Sequence, residues 1–178
     1  MNKYYEELDW PILPDELVSS LIKWGVSAER AVPNKRNAVF AFLKTPWYLR
    51  DWVVRNIPVE INENWAVALQ RFSGKQAGFH IDSCRDWSYN CVIFGDTGIT
   101  KFKPTFDSEE ETSVKYKKNK WYYHTSNVPH AVEAIPNKRL AVTIFKFLPE
   151  RISNGFQHNN TAPLLAEEYK KDPYFYYV

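Results

Sequence analysis

The chain has 178 residues and a formal net charge of +2 at pH 7, a length that can bury one core and a charge too small to favour nucleic acid as a partner. Its two cysteines are too few and too close together for a disulfide framework, and no apolar run approaches the roughly 20 residues that cross a bilayer. With no signal peptide at its start, the sequence predicts a single domain over residues 1–178 in a reducing, cytoplasmic compartment, with no membrane partner.

The first third of the chain predicts two helices and one strand. Apolar residues recur at helical spacing over 15–24 and predict a short helix. Residues 38–43 are apolar and β-prone and predict a strand, and a second helix is predicted over about 46–55, with Thr45 as its cap and a proline in its first turn. We expect residues 1–58 to form a helical buttress outside one sheet.

The pattern changes at about Trp65 to an alternation of apolar and polar residues. Short runs rich in Val, Ile, Phe, Tyr and Trp are separated by turn signals at Ser73-Gly74, Asp96-Thr97-Gly98, Asn127-Val128-Pro129 and Pro136-Asn137. Many short strands at such intervals predict a barrel or a sandwich. The aromatic fraction of 16% fits a β-rich core of this kind.

Two further segments flank or interrupt these strands. Residues 107–120 are charged throughout and predict a solvated hairpin with paired charges across it, or alternatively a substrate-recognition loop. Residues 149–178 are predicted to hold a final helix, over about 161–171, and an apolar tail that packs back on the domain or contacts another subunit.

Four side chains suggest a metal centre: His80, Asp82, His130 and Arg139. His80 and Asp82 are two residues apart, so on a strand both project from one face and can bind one ion. His130 follows at a distance that suits a later antiparallel strand returning beside the first. Two imidazoles and one carboxylate suit non-haem Fe(II), because adjacent positions stay open for a co-substrate and dioxygen. Arg139 follows across a turn, and its cationic fork suits the far carboxylate of a dicarboxylic acid.

Together with their flanking strands, these residues resemble the Fe(II)- and 2-oxoglutarate-dependent dioxygenase superfamily over roughly residues 65–148. Residues 69–74 resemble the strand and glycine turn that lead into the HxD motif of prolyl-hydroxylase-like members, and residues 121–132 and 139–144 resemble their distal-histidine and arginine strands. The resemblance implies a mainly β fold, a double-stranded β-helix (a jelly-roll or cupin-like barrel) over about 59–148 with flanking N-terminal and C-terminal helices.

The resemblance also implies a cofactor and a reaction. Fe(II) would be held by His80, Asp82 and His130, while 2-oxoglutarate would bind the iron through its 2-oxo acid end and Arg139 through its other carboxylate. The implied reaction couples the conversion of 2-oxoglutarate and O2 into succinate and CO2 to the hydroxylation of a substrate. Iron supplies that chemistry, and the protein positions the reactants and excludes water.

The chain departs from the family pattern in the co-substrate pocket. Ala141 stands where many members carry a serine that contacts the same carboxylate, and Phe72 stands where a tyrosine is common. We expect three polar residues to complete the pocket in their place: Gln70, Asn90 and Thr143.

Two assignments have competitors. His124 lies six residues before His130 and could be the third ligand instead. It is fifteen residues from Arg139, which is too far for two consecutive strands joined by one tight turn. His124 is therefore interpreted as a residue behind the ligands or on the surface. Arg139 could instead pair with Glu133 on the surface. Its inward placement is favoured because Arg139 and Ala141 share one face of the predicted strand while apolar residues fill the other.

The substrate is only weakly constrained by the sequence. Arg85 and Trp87 follow the HxD motif in a predicted loop at the barrel mouth and are candidates for substrate recognition or for plain loop packing. The prolyl-hydroxylase-like flanking strands favour a peptidyl or free amino-acid substrate. A binding module that keeps the fold, a site with a different metal and a zinc hydrolase remain alternatives, and the oligomeric state is left open.

Overall fold

The computed structural model describes residues 3–25, 40–43, 45–62, 65–72, 75–82, 85–146 and 148. This part of the chain contains two helices and ten strands, in the order β1 (Tyr5–Leu8), α1 (Asp15–Gly25), β2 (Phe40–Leu43), α2 (Trp47–Asn56), β3 (Trp65–Phe72), β4 (Ala77–His80), β5 (Trp87–Phe94), β6 (Ile99–Phe102), β7 (Thr112–Lys115), β8 (Trp121–Thr125), β9 (His130–Val132) and β10 (Arg139–Lys146). The helix and tail predicted for residues 149–178 lie outside the described residues.

The strands form two antiparallel sheets. The larger sheet has the order β1-β8-β5-β10-β3-β2, and the smaller has the order β4-β9-β6-β7. From β3 onward the chain passes repeatedly from one sheet to the other, with β6 and β7 paired as a hairpin within the smaller sheet. This is the double-stranded β-helix that the sequence predicted.

The helices cover the outer face of the larger sheet. Leu21 of α1 and Leu49 and Val53 of α2 are fully buried there, against a row of strand residues that alternates with the residues facing the smaller sheet: Val67, Leu69, Cys91, Ile93, Trp121, Leu140, Val142 and Ile144. Burying one such aliphatic side chain contributes about 1.5–3 kcal/mol. The main apolar core therefore lies outside the barrel, and the space between the sheets is left for other side chains.

Several local expectations are corrected by the structure. β1 was not predicted from the sequence, and it adds an edge strand to the larger sheet by pairing with β8. Thr45 does not cap α2, whose cap position is Pro46 without a side-chain hydrogen bond. The Thr45 hydroxyl instead accepts a hydrogen bond from the Leu69 amide at 3.2 Å. Thr45 thus links the chain before α2 to the centre of β3.

The charged segment 107–120 contributes one strand rather than a hairpin of its own. Its strand β7 pairs with β6, which lies outside the segment. Lys101 of β6 binds Glu111 at 3.1 Å and Glu133 at 2.9 Å. Glu111 of the charged segment therefore pairs with a lysine on the neighbouring strand, which comes from earlier in the chain.

The helices were also compared with the length needed to cross a bilayer. Within the described residues, neither helix is long and apolar enough to span a membrane.

Candidate metal centre and its cavity

A cavity lies between the two sheets. The side chains that line it come from both sheets and from the loops at one end: Gln70, His80, Asp82, Arg85, Asn90, Val92, Thr100, Tyr116, His124, His130, Val132, Arg139 and Ala141. Because the apolar residues of the larger sheet face the helices, the alternate positions that face the cavity are free to be polar.

Three of these residues converge on one point. His80 ends β4 and His130 begins β9, and the two are direct partners in the smaller sheet, with ring centroids 4.4 Å apart. Asp82 lies two residues beyond the end of β4, with its carboxylate oxygens 3.9 Å from Nε2 of His80 and 3.9 Å from Nε2 of His130. One ligand atom from each of the three residues lies within 4.8 Å of the others.

The two histidine rings are oriented for binding a metal through Nε2. Nδ1 of His80 lies 2.7 Å from the Gly78 carbonyl oxygen, and Nδ1 of His130 lies 3.0 Å from the Val128 carbonyl oxygen. A carbonyl only accepts, so each Nδ1 donates its proton and each Nε2 keeps its lone pair towards the centre. Two imidazoles and one carboxylate fit a divalent transition metal.

The protonation states suit this role. Burial works to raise the pKa of Asp82, but Arg85 and the two histidines lower it below its ordinary range. Burial lowers the pKa of His130. The carboxylate is therefore ionised and the His130 ring neutral at neutral pH, which are the forms that bind a metal.

Backbone hydrogen bonds couple the segments that carry the ligands. The Asp82 amide donates to the Ser126 carbonyl at 3.0 Å. In return, the amides of Ser126 and Asn127 donate to the Asp86 carbonyl at 2.6 and 3.1 Å. The turn that leads into His130 is thereby joined to the segment that carries Asp82, so the third ligand keeps its place without belonging to a strand.

Arg139 lies in the same cavity, and Asp96 acts on its charge only from beyond ion-pair distance. It begins β10 and is 6% exposed, which excludes the surface pair with Glu133. One guanidinium nitrogen donates to the Thr97 carbonyl at 2.6 Å, and the group stacks 5.0 Å from the Phe72 ring. Burial lowers its pKa to about 10, so it stays charged at neutral pH. Among the described residues, no carboxylate lies within ion-pair distance of Arg139.

A polar cluster around His124 occupies the middle of the cavity wall. Nε2 of His124 lies 3.1 Å from the Ser88 hydroxyl, while Nδ1 lies 3.1 Å from the Asn90 amide nitrogen and 2.9 Å from the Tyr116 hydroxyl. Burial lowers the pKa of His124 well below its ordinary value, so the ring is neutral. His124 lies behind the ligands, with its ring 5.8 Å from the His130 ring. The sequence did not assign Tyr116 to the site, since it lies in the charged segment beyond β7.

The remaining expected site residues divide into two groups. Gln70, Asn90 and Arg85 line the cavity. Thr143 shares the inward parity of Arg139 but is fully buried and does not line the cavity. Trp87 lies on the opposite face of β5, packed 5.2 Å from Trp65 between ring centroids in the helix-facing aromatic cluster.

The fold was compared with those of known proteins. No protein-family model matches the chain, and no curated protein matches it. Among solved structures, it is similar to a prolyl-4-hydroxylase from Pseudomonas putida, with a TM-score of 0.56 and 15% identity over 82% of this chain and 94% of that one.

Two further solved structures are similar. A prolyl hydroxylase from Trichoplax adhaerens, in complex with a peptide fragment of the hypoxia-inducible-factor oxygen degradation domain, has a TM-score of 0.53 and 14% identity over 88% of this chain and 89% of that one. A 2OG-Fe(II) oxygenase family oxidoreductase from Burkholderia pseudomallei has a TM-score of 0.53 and 9% identity over 79% and 82%. At these identities the likeness establishes the double-stranded β-helix fold.

Proposed function

We propose that this protein is an Fe(II)- and 2-oxoglutarate-dependent dioxygenase that hydroxylates its substrate and releases succinate and CO2. The observation that carries the proposal is a single cavity that contains both a convergent His80, Asp82 and His130 set and a buried arginine with no acid partner among the described residues. A zinc hydrolase or a structural metal site has use for the first of these features but none for the second.

Each group has a role that follows from its position. His80, Asp82 and His130 would hold Fe(II), which supplies the activation of dioxygen when it is bound. Arg139 would hold the distal carboxylate of 2-oxoglutarate, because its buried side chain lines the cavity and forms no ion pair with an acid among the described residues. Asn90 and Gln70 would add neutral hydrogen bonds along the co-substrate.

We infer a peptidyl or free amino-acid substrate. Two of the similar solved structures are prolyl hydroxylases, and one of these holds a peptide. The net charge of +2 offers little attraction for nucleic acid. A reducing cytoplasm suits the proposal, since it keeps iron ferrous and the buried thiol of Cys91 free.

The test is an anaerobic titration of the metal-free protein with Fe(II) and then 2-oxoglutarate, followed through the visible metal-to-ligand charge-transfer band. We expect a band in the wild type, no band in His80→Ala, and a band that needs more co-substrate in Arg139→Met. A protein that binds Fe(II) tightly but gives no band with 2-oxoglutarate would support a binding module or a different metal instead. A His80→Ala variant with an unchanged band would remove the proposed ligand set.

A further inference from the structure

We propose that Arg85 is a positioning residue that restricts Asp82 to binding the metal through one carboxylate oxygen. This inference rests on the proposed function, because it assigns a role towards the metal that the three ligands would hold. It gives Arg85 a different task from substrate recognition, which was the sequence-based interpretation.

The geometry of the ion pair carries the proposal. Nε of Arg85 donates to Oδ2 of Asp82 at 2.7 Å, and the side chains are only 8% and 3% exposed. The guanidinium carbon lies 4.6 Å from the centre of the Phe145 ring, so its plane is supported from one side. A buried, charge-assisted hydrogen bond of this length fixes the rotation of the carboxylate far more firmly than an exposed pair does.

The occupied oxygen determines what remains for a metal. Oδ1 lies 3.9 Å from Nε2 of His80, and Oδ2 lies 3.9 Å from Nε2 of His130. Because Arg85 already engages Oδ2, Oδ1 is the oxygen that Asp82 can present without competition. A carboxylate that binds through both oxygens would take a second coordination position. Two histidine nitrogens and a single carboxylate oxygen would leave room at the ion for a chelating 2-oxo acid and for dioxygen.

The positive charge of Arg85 and its hydrogen bond to Asp82 should have opposite effects on metal affinity. A fixed cation beside a metal site repels the metal ion, so removing only its charge should tighten metal binding. Removing a positioning hydrogen bond should weaken it, and such outer-shell losses typically amount to about 10- to 100-fold in affinity. The sign of the change therefore distinguishes the two roles.

Three substitutions separate the hydrogen bond from the charge. Arg85→Gln places an amide N–H at the position of the arginine Nε and removes the charge. Arg85→Met keeps an unbranched chain without either feature. Arg85→Lys keeps the charge but moves the donor one atom farther out. Arg55→Met is the control, since Arg55 forms an ion pair with Asp51 at 3.0 Å on the exposed surface of α2.

The experiment measures Co(II) affinity by competition with a chelating dye, and the visible Co(II) spectrum as a report on coordination. We expect Arg85→Met to bind Co(II) about 10-fold or more weakly with an altered spectrum, and Arg55→Met to stay within about threefold of the wild type, a margin smaller than the typical outer-shell loss. Arg85→Gln should not fall below that margin, since it loses the charge but keeps the hydrogen bond. Equal or tighter binding by Arg85→Met, or a loss in Arg85→Gln as large as in Arg85→Met, would overturn the proposal.

If Arg85→Met does not fold, the lysine and glutamine variants still test the proposal. In that case Arg85→Lys is expected to bind more weakly than the wild type, whereas Arg85→Gln is not; a lysine variant equal to the wild type with a tighter glutamine variant would overturn the proposal. If the wild type did not bind Co(II), or if its binding did not depend on His80, the proposed function itself would be contradicted. Normal wild-type binding with an unchanged methionine variant would contradict only the role of Arg85.

Discussion

Replacing Arg139 by methionine should weaken 2-oxoglutarate binding about 10- to 100-fold. One guanidinium nitrogen of Arg139 is committed to the Thr97 carbonyl at 2.6 Å, and the side chain lines the metal cavity. A hydrogen bond to a charged group contributes about 1.5–3 kcal/mol, and each 1.4 kcal/mol is a factor of about ten in a dissociation constant. Losing one such bond therefore sets the lower end of the range, and a paired fork sets the upper end.

The assay is calorimetric titration of the Co(II)-loaded protein with 2-oxoglutarate, because Co(II) does not need protection from oxygen during the measurement. The matched control is Arg71→Met. Arg71 lies on the neighbouring strand β3, opposite Leu140, and lines the outer cleft beside Gly25 and Leu140 rather than the metal cavity. The control should keep the wild-type affinity and the wild-type metal binding.

The comparison of the two methionine variants gives the result that would refute this reasoning. Burial lowers the pKa of Arg139 only to about 10, so the guanidinium stays charged, and co-substrate affinity should not fall through loss of this charge as the pH rises above neutral. An Arg139→Met variant that binds 2-oxoglutarate as tightly as the wild type, while Arg71→Met is also unchanged, would exclude Arg139 from the co-substrate site.

Three further predictions follow from single positions. His80→Ala should lose Co(II) binding by more than about 100-fold, because it removes a direct ligand rather than an outer contact, and equal chelator competition in both proteins would contradict this. Gly95→Ala should lower the free energy of unfolding by at least about 1–3 kcal/mol in urea denaturation, because Gly95 has a φ of 82° and an added Cβ would collide with the Lys138 carbonyl oxygen; a variant as stable as the wild type would contradict the clash. The folded pKa of His124 lies below its unfolded value, so only the unfolded chain takes up a proton below about pH 6.5, and stability should fall with pH by up to about 1.4 kcal/mol per unit from this group. His124→Gln should reduce that slope in urea titrations between about pH 6.5 and 5, and an identical slope would mean that His124 is protonated in the folded protein.

The strand period explains which cavity residues the sequence could predict. Leu140 and Val142 face the helices while Arg139 and Ala141 face the cavity, as alternation along β10 required. Asn90 and Trp87 were both expected at the site, but they are three positions apart on β5, so alternation along the strand places them on opposite faces. Because β5 begins at Trp87 without an intervening loop, only Asn90 can face the cavity. Trp87 was predicted in a loop, but it begins the strand, and its side chain therefore faces away from the cavity.

The metal ligands illustrate a different limit. The spacing of His80 and Asp82 suggested one strand with both side chains on the same face, but β4 ends at His80. Asp82 reaches the histidines because its amide is held by the Ser126 carbonyl, and its carboxylate is held by Arg85. The first of these contacts joins residues more than forty positions apart, and no local pattern in the sequence encodes it.

The same reasoning explains why the wall of the cavity was only partly predictable. Asn90, His124 and Tyr116 come from two strands and a loop, and they meet because β8 pairs with β5. Each residue alone has an ordinary explanation in its own segment. Two ligands that lie two residues apart can be recognised in one sequence because their spacing is short, whereas a hydrogen-bonded wall depends on strand order. The residues that distinguish this site from others of the same fold are therefore expected on β5, β8 and the chain after β7, where the sequence signals are weakest.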